Sequence, residues 1–263
     1  MSGMSEQQIE AMLAKQSAAI KDTDTENMHG QVEAFADAMG SMNIGDMFGK
    51  SESLFEFAEN PSINESYRWA VACGADLAHK RSDIVNDLST GTDRTTCLEL
   101  LLKEWGIRRK QDFSAMAESL KEGRDSLLYA GLAAGNYTDG FSAEKKNFEK
   151  AKTLFLRDGL LDDGVPNMRA WDLGRLVNVS RLAFDAGIIT RQEALKYLRE
   201  AALLAKKEYT SWKDLSIGFQ FARAVRGGPD GYDEFKEGME ELLTEEDSPW
   251  VTLPFELALS FED

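Results

Sequence analysis

One predicted helix carries the charged side chains of this sequence that are best placed to bind a ligand. Asp172 and Arg175 are three residues apart, so they can meet on one helix face. Arg181 and Asp185, four apart, can do the same. If Arg175, Arg181 and Arg223 entered one cleft, their guanidinium groups could bind a carboxylate or phosphate through paired hydrogen bonds. The resulting candidate binding cluster is Trp171, Asp172, Arg175, Arg181, Trp212 and Arg223.

The same side chains also have a purely structural interpretation. In it, Asp172 and Arg175 tie neighbouring helices together through partly buried ion pairs around Trp171. Tryptophans pack between helices by the same logic, and each buried indole N–H then needs an acceptor, which nearby Asp or Ser residues could supply. The sequence has five tryptophans: Trp69, Trp105, Trp171, Trp212 and Trp250.

Few other side chains in the sequence could take part in catalysis. His29 and His79 are the two histidines, and both are expected to be solvated. Cys73 lies six residues before His79, so the two do not share a helix face as zinc ligands would. The sequence has no phosphate-binding loop and no HExxH motif. We therefore predict no catalytic residues, no metal and no cofactor, which favours a protein that is not an enzyme.

Paired carboxylates are a further alternative, as a hydrolase or metal site. The available aspartates lie in glycine-containing segments, where Asp is common simply because it favours turns. They are Asp139, Asp162, Asp163, Asp230 and Asp233.

The net charge of −16 is unevenly distributed. Residues 1–60 contain 11 acidic and 3 basic residues, and residues 227–263 contain 12 acidic and 1 basic. The intervening segment has a small positive net charge. Because acidic surfaces repel phosphates, nucleic acid and anionic membranes are poor partners. A basic protein partner is compatible with the two acidic ends.

Helical spacing recurs from Tyr67 onwards, and the five prolines fall between the periodic segments. Residues 67–80 place Trp69, Ala72, Cys73 and Asp76 in one helical register. Thr190 with Glu193 forms a predicted capping box. We predict an all-α fold, a compact multi-helix orthogonal bundle of about eight to ten helices.

Two regions are predicted. Residues 1–60 form a methionine-rich, acidic helical appendage with short helices over 5–20 and 32–42. Residues 61–263 form the helical domain.

The N-terminal sequence lacks a basic and an apolar segment, and no apolar run approaches about 18 residues, so we expect neither secretion nor a membrane span. Two cysteines without CxxC spacing fit a reducing, cytoplasmic location.

Several motifs occur in a familiar order: Tyr67-Arg-Trp69, Leu101-Leu-Lys-Glu-Trp-Gly-Ile107, Arg169-Ala-Trp-Asp-Leu-Gly-Arg-Leu-Val177, Ala186-Gly-Ile-Ile-Thr-Arg-Gln-Glu-Ala194, Thr210-Ser-Trp212 and Asp247-Ser-Pro-Trp250. Over about residues 67–255 the chain resembles a bacterial family of unknown function, DUF1266. The pattern departs at Ala222 and Val225, where the family has a glycine and an aromatic residue. The resemblance implies a compact helical domain and brings no activity or catalytic residues.

Two functional hypotheses follow. The first is a cytoplasmic bacterial protein-binding module, in its concrete form an immunity or antitoxin-like protein that neutralises a basic partner. The second is a small-molecule or nucleotide-binding protein, or an enzyme, that uses the Arg/Asp cluster around Trp171. It requires a pocket in which the arginines converge. A helical scaffold without a small-molecule site stays open, as does the oligomeric state.

Overall fold

A computed structural model describes residues 53–135, 141–162 and 164–261. These residues form eleven helices, nine of them with eight or more residues, and no β-sheet, which confirms the predicted all-α fold. The predicted helices over 5–20 and 32–42 lie outside the described residues. The helices are α1 (Glu65–Ala72), α2 (Ala75–Lys80), α3 (Arg94–Trp105), α4 (Lys110–Glu122), α5 (Arg124–Ala133), α6 (Ser142–Arg157), α7 (Arg169–Asp185), α8 (Arg191–Glu208), α9 (Trp212–Gly227), α10 (Tyr232–Thr244) and α11 (Pro249–Thr252).

Helix α7 is the centre of the fold. It packs against α3, α4 and α5 and against α2, α8 and α9. Its sequence is apolar on several sides, and most of its residues are buried, as expected for a helix surrounded by others. Gly174 permits the closest approach: a Cβ there would lie 3.0 Å from the Phe219 ring of α9. Most side chains of α7 therefore face neighbouring helices rather than solvent.

Sequence-encoded caps fix the ends of several helices. Thr190 and Glu193 form the predicted capping box at the start of α8. Ser211 accepts a hydrogen bond from the Asp214 N–H at the start of α9. Gly106 and Gly123 adopt positive φ where α3 and α4 end, a conformation that costs glycine little. These local signals were visible in the sequence, so the helix order could be predicted.

Three tryptophans pack together beside α1 and α9. The Trp212 ring stacks on Trp250 with centroids 5.7 Å apart and lies 4.7 Å from Trp69. Their indole N–H groups donate to the backbone oxygens of Leu253, Ala72 and Pro254 respectively. The packing role is confirmed. The expected Asp or Ser acceptors are wrong for these three, because backbone carbonyls take their place.

A second cluster of buried aromatic residues holds α10. Phe155 of α6 contacts the rings of Phe221 and Tyr232 at 5.2 and 5.3 Å. The Tyr232 hydroxyl also donates to Asp158 at 3.0 Å. The N-terminal turn of α10 is therefore anchored to α6 and α9, while its other face is left to meet α2.

The helical unit spans Leu54–Asp263, so it includes residues 54–60, which belong to the predicted N-terminal appendage over 1–60. Phe55 is buried, and the Val85 N–H donates to the Glu56 oxygen at 2.8 Å. Of the helices in the described part of the chain, none is both long enough and apolar enough to cross a membrane.

Candidate functional site

Asp172 of α7 caps a neighbouring helix. Its carboxylate accepts hydrogen bonds from the backbone N–H groups of Asp125 and Ser126, at 3.2 and 2.9 Å. Those groups belong to the first turn of α5, where the preceding residue, Gly123, has no side chain to cap it. Burial raises the pKa of Asp172, and the hydrogen bonds from Ser126 oppose that shift. Asp172 is fully buried and acts as an N-cap supplied by another helix.

Arg175 lies beside Asp172 and is fully engaged. Its guanidinium is 4.6 Å from the centroid of Trp105 and 4.9 Å from that of Trp171, and it forms an ion pair with Asp125. The Trp171 indole N–H donates to the same carboxylate at 3.3 Å. The structural interpretation is therefore the one observed here: these side chains tie α7 to α3 and α5.

Arg181 is buried further along α7, with 1% of its surface exposed. It donates to the backbone oxygens of Leu88 and Ser89 at 3.2 and 2.8 Å and also to Ile84. Its guanidinium thus satisfies carbonyl groups of the loop between α2 and α3. Hydrogen bonds of this kind hold a loop that has no secondary structure to satisfy its own backbone.

Arg223 and Trp212 lie in two further places. The Arg223 guanidinium is 3.4 Å from the centroid of Phe235 on α10, and Trp212 belongs to the tryptophan cluster. The structure thus brings together Trp171, Asp172 and Arg175 but not the other three candidates. The arginines do not converge on one pocket among the described residues. Ligand binding by this cluster stays a prediction.

A different cleft, between α2 and α10, is lined mostly by charged and polar side chains. Its volume is about 350 Å³. Asp76, His79 and Lys80 share a face of α2 because they are three and four residues apart. The residues from α10 follow the same spacing. The lining consists of Asp76, His79, Lys80, Glu234, Phe235, Glu237, Gly238 and Glu241.

His79 is not solvated, contrary to the sequence-based expectation. Its Nε2 atom lies 2.6 Å from Glu241 Oε2, its ring centroid lies 4.8 Å from that of Phe55, and only 17% of its side chain is exposed. The cause is the docking of α10 across α2, a tertiary contact with no local signal. His29 lies outside the described residues.

Asp76 is the most unusual group in the cleft, with 7% of its surface exposed. Oδ1 accepts hydrogen bonds from the Ser216 hydroxyl at 2.7 Å and from Gln220 Nε2 at 3.0 Å. Oδ2 is buried and has no hydrogen-bond partner among the described residues. Burial raises the pKa of Asp76 to about 7, and the two hydrogen bonds oppose the rise. A half-satisfied buried carboxyl group requires an explanation.

The surface around the cleft is strongly negative. Lys80 pairs with Glu234, and Lys236 pairs with Asp158 at 3.1 Å. The remaining exposed carboxylates of α10 and the following loop have no basic partner in the described ranges. They include Glu237, Glu240, Glu245, Glu246 and Asp247. Such a concentration of like charge attracts cations.

Metal binding and thiol chemistry find little support. Within the described ranges, no group of three or more His, Cys, Asp or Glu side chains is arranged to hold a metal ion. Cys73 and Cys97 are free and buried, and burial raises the pKa of Cys97 to about 11. A thiol of high pKa is a poor nucleophile at neutral pH.

The sequence did contain two signals for this cleft. Asp76 occupies the register of Trp69, Ala72 and Cys73, so a carboxylate stands where an apolar residue is expected. Gly238, inside an otherwise acidic helix, is a second signal, since glycine is unfavourable there. Neither one identifies its partner helix.

The described residues form an all-α domain with an acidic cleft that contains a half-satisfied buried aspartate. The chain belongs to the family described as "Protein of unknown function (DUF1266)", which matches residues 92–255. The match includes α10 but begins after α2, and it is shorter than the resemblance over 67–255. No curated protein and no solved structure matches the chain.

Proposed function

We propose that this protein is a protein-binding module whose partner presents a basic segment to α10 and the adjoining cleft. The observation that carries this proposal is the set of α10 carboxylates without basic partners beside a cleft that contains a half-satisfied aspartate. A surface patch of carboxylates raises the association rate of a positively charged protein and orients its approach.

The arrangement favours binding over catalysis. The cleft contains carboxylates, a histidine, a lysine and a phenylalanine, and no Ser, Thr or Cys side chain lines it. In the immunity-like form of this function, covering the basic surface of the partner neutralises it. The alternative small-molecule site around Trp171 draws less support, because Arg175 and Arg181 already bind protein groups.

A peptide panel tests the proposal. The full chain is titrated with fluorescent 15-residue peptides of graded net charge, and anisotropy gives each dissociation constant. We expect the affinity to rise with positive charge and to fall steeply between 50 and 200 mM salt, because surface charges are screened over about 10 Å at 0.1 M salt. Equal affinity for acidic and basic peptides would contradict the proposal.

Charge-reversal variants locate the surface. Changing Glu237, Glu240 and Glu246 to Lys should abolish binding of the basic peptides. The matched control changes three exposed acids outside α10, namely Glu99, Glu104 and Glu149, to Lys and therefore has the same net charge. We expect the control to retain most of the affinity. Equal losses in the two variants would show that overall charge, and not α10, governs binding.

A further inference from the structure

We infer that the cleft between α2 and α10 is a specific subsite for one alkylammonium group, the side chain of a lysine on the partner, held between Asp76 and Glu237. This inference rests on the proposed function and specifies which group of the basic segment is recognised. It assigns to Asp76 the role of the primary anchor and to Glu237 that of a second carboxylate at the rim.

The state of Asp76 points to a missing donor. Oδ1 is satisfied by α9, whereas Oδ2 is buried without any partner among the described residues. Leaving a buried acceptor unsatisfied costs about 1–3 kcal/mol, and more when the group is charged. An ammonium group supplies three donors and a positive charge, so it would satisfy Oδ2 and favour the ionised carboxylate.

The shape of the cleft suits a narrow alkyl chain. Its volume of about 350 Å³ is at the lower end of the range for ligand pockets, about 300–1,000 Å³. Gly238 leaves space on the α10 side, because even an added Cβ there would lie 3.5 Å from its nearest neighbour, His79 Cδ2. Phe235 contributes an apolar wall against which methylene groups can pack.

Lys80 shows that the rim accommodates an ammonium group. Its Nζ atom pairs with Glu234 and lies 5.5 Å from the centroid of Phe235. His79 similarly pairs with Glu241. Lys80 and His79 thus engage two of the four carboxylates that line the cleft and leave Asp76 and Glu237 for an incoming cation.

The test uses a single lysine in place of a whole partner. The full chain is titrated with N-acetyl-lysine methylamide, and backbone NMR signals of α2 and α10 are followed. We expect saturable shifts at His79 and Gly238. The norleucine analogue, which has the same chain without the ammonium, should cause none. Absence of a saturable lysine-dependent shift at these residues would overturn the inference.

Isosteric variants identify the anchor. Asp76→Asn removes the charge with little change of shape and should weaken lysine binding at least tenfold. Asp172→Asn, the control, alters another buried carboxylate, which lies near Trp171 and away from the cleft, and should leave binding unchanged. Likewise, Glu237→Gln should weaken binding several-fold, whereas Glu240→Gln, on α10 but away from the cleft, should not. Wild-type affinity in Asp76→Asn would overturn the anchor role.

Two further comparisons are needed. One distinguishes a lysine side chain of the partner from a free amine, and the other distinguishes failure of the inference from failure of the proposed function. A free diamine, 1,5-diaminopentane, that binds more tightly than the lysine amide would overturn assignment to a partner side chain. Basic peptides that require α10 but bind Asp76→Asn normally would leave the proposed function standing and overturn only the inference. Lysine binding without α10-dependent peptide binding would leave the ammonium subsite standing and overturn the proposed function.

Discussion

His79 Nε2 lies 2.6 Å from Glu241 Oε2, and this contact connects α2 to α10 at the acidic cleft. The two residues are 162 positions apart in the sequence. Each belongs to a helix that packs on different neighbours, α2 on α7 and α10 on α9. The cleft is therefore a product of how two otherwise separate parts of the fold meet.

The pair should contribute measurably to stability. In a double-mutant cycle of His79→Ala and Glu241→Ala, urea unfolding should give a coupling energy of about 1 kcal/mol, because both groups are partly buried. Lys103 and Glu99 are the control, an exposed pair at 3.1 Å on a single helix. Their coupling should be smaller, since solvent screens exposed ion pairs. A His79–Glu241 coupling no larger than the control would show that the contact does not hold α10.

Two glycines inside helices should respond to alanine in opposite directions. Gly238→Ala should stabilise the protein by about 0.5–1 kcal/mol through helix propensity, because its new Cβ meets only ordinary contact at His79. Gly218→Ala should destabilise by about 2–4 kcal/mol, because a Cβ there would lie 2.0 Å from the backbone oxygen of Asn167.

Denaturant midpoints of the two alanine variants measure the contrast directly. The Asn167 oxygen accepts a hydrogen bond from the Tyr209 hydroxyl at 2.8 Å, so it cannot withdraw without breaking that bond. Two variants with the same sign of effect would contradict the prediction.

Asp76 should make the stability depend on pH in an unusual direction. Its pKa rises from about 4 in the unfolded chain to about 7 on burial, so the folded state binds the extra proton. The stability it contributes is fully present below pH 4 and is lost as the pH rises through 7. Relative to Asp76→Asn, the free energy of unfolding of the wild type should fall by on the order of 4 kcal/mol at most as the pH rises. A difference of one pKa unit between the folded and unfolded states corresponds to about 1.4 kcal/mol.

Urea unfolding of both proteins from pH 4.5 to 8 measures this difference. The titratable groups that line the cleft with Asp76 are His79 and Lys80 on α2 and Glu234, Glu237 and Glu241 on α10, whereas α9 contributes neutral Ser216 and Gln220.

Glu193→Gln serves as the control, because hydrogen bonds with Lys110 and Thr190 lower the pKa of Glu193 to about 2. Its difference from the wild type should be nearly constant above about pH 6 and change only as the pH falls toward the ordinary Glu pKa of about 4.5. A constant difference for Asp76→Asn would contradict the predicted pKa.

Local sequence signals explain why the fold could be predicted and the cleft could not. The capping box at Thr190 and the helix ends at Gly106 and Gly123 depend on neighbours in the chain. The spacing of Arg175 and Trp171 in the sequence predicts that they are neighbours, but the engagement of Arg175 with Asp125 depends on α5, 50 residues away. Whether a charge is free or engaged is decided by such tertiary contacts.

Asp172 of α7 caps the N-terminus of α5, a different helix. Asp172→Ala should destabilise the protein by about 2–3 kcal/mol, because it uncovers two N–H groups of α5 in a buried position. Asp93 is the matched case, an exposed aspartate that accepts two N–H bonds at the start of its own helix, α3. Asp93→Ala should cost less, since water can replace the lost acceptor there.

Hydrogen exchange distinguishes the two caps. Asp172→Ala should accelerate exchange of the α5 amides, whereas Asp93→Ala should affect only the first turn of α3. Faster exchange in α7 without any change in α5 would contradict the cap role, because Asp172 would then act within its own helix. An α5 response assigns Asp172 to the architecture of the fold and leaves Asp76 as the buried carboxylate available to a ligand.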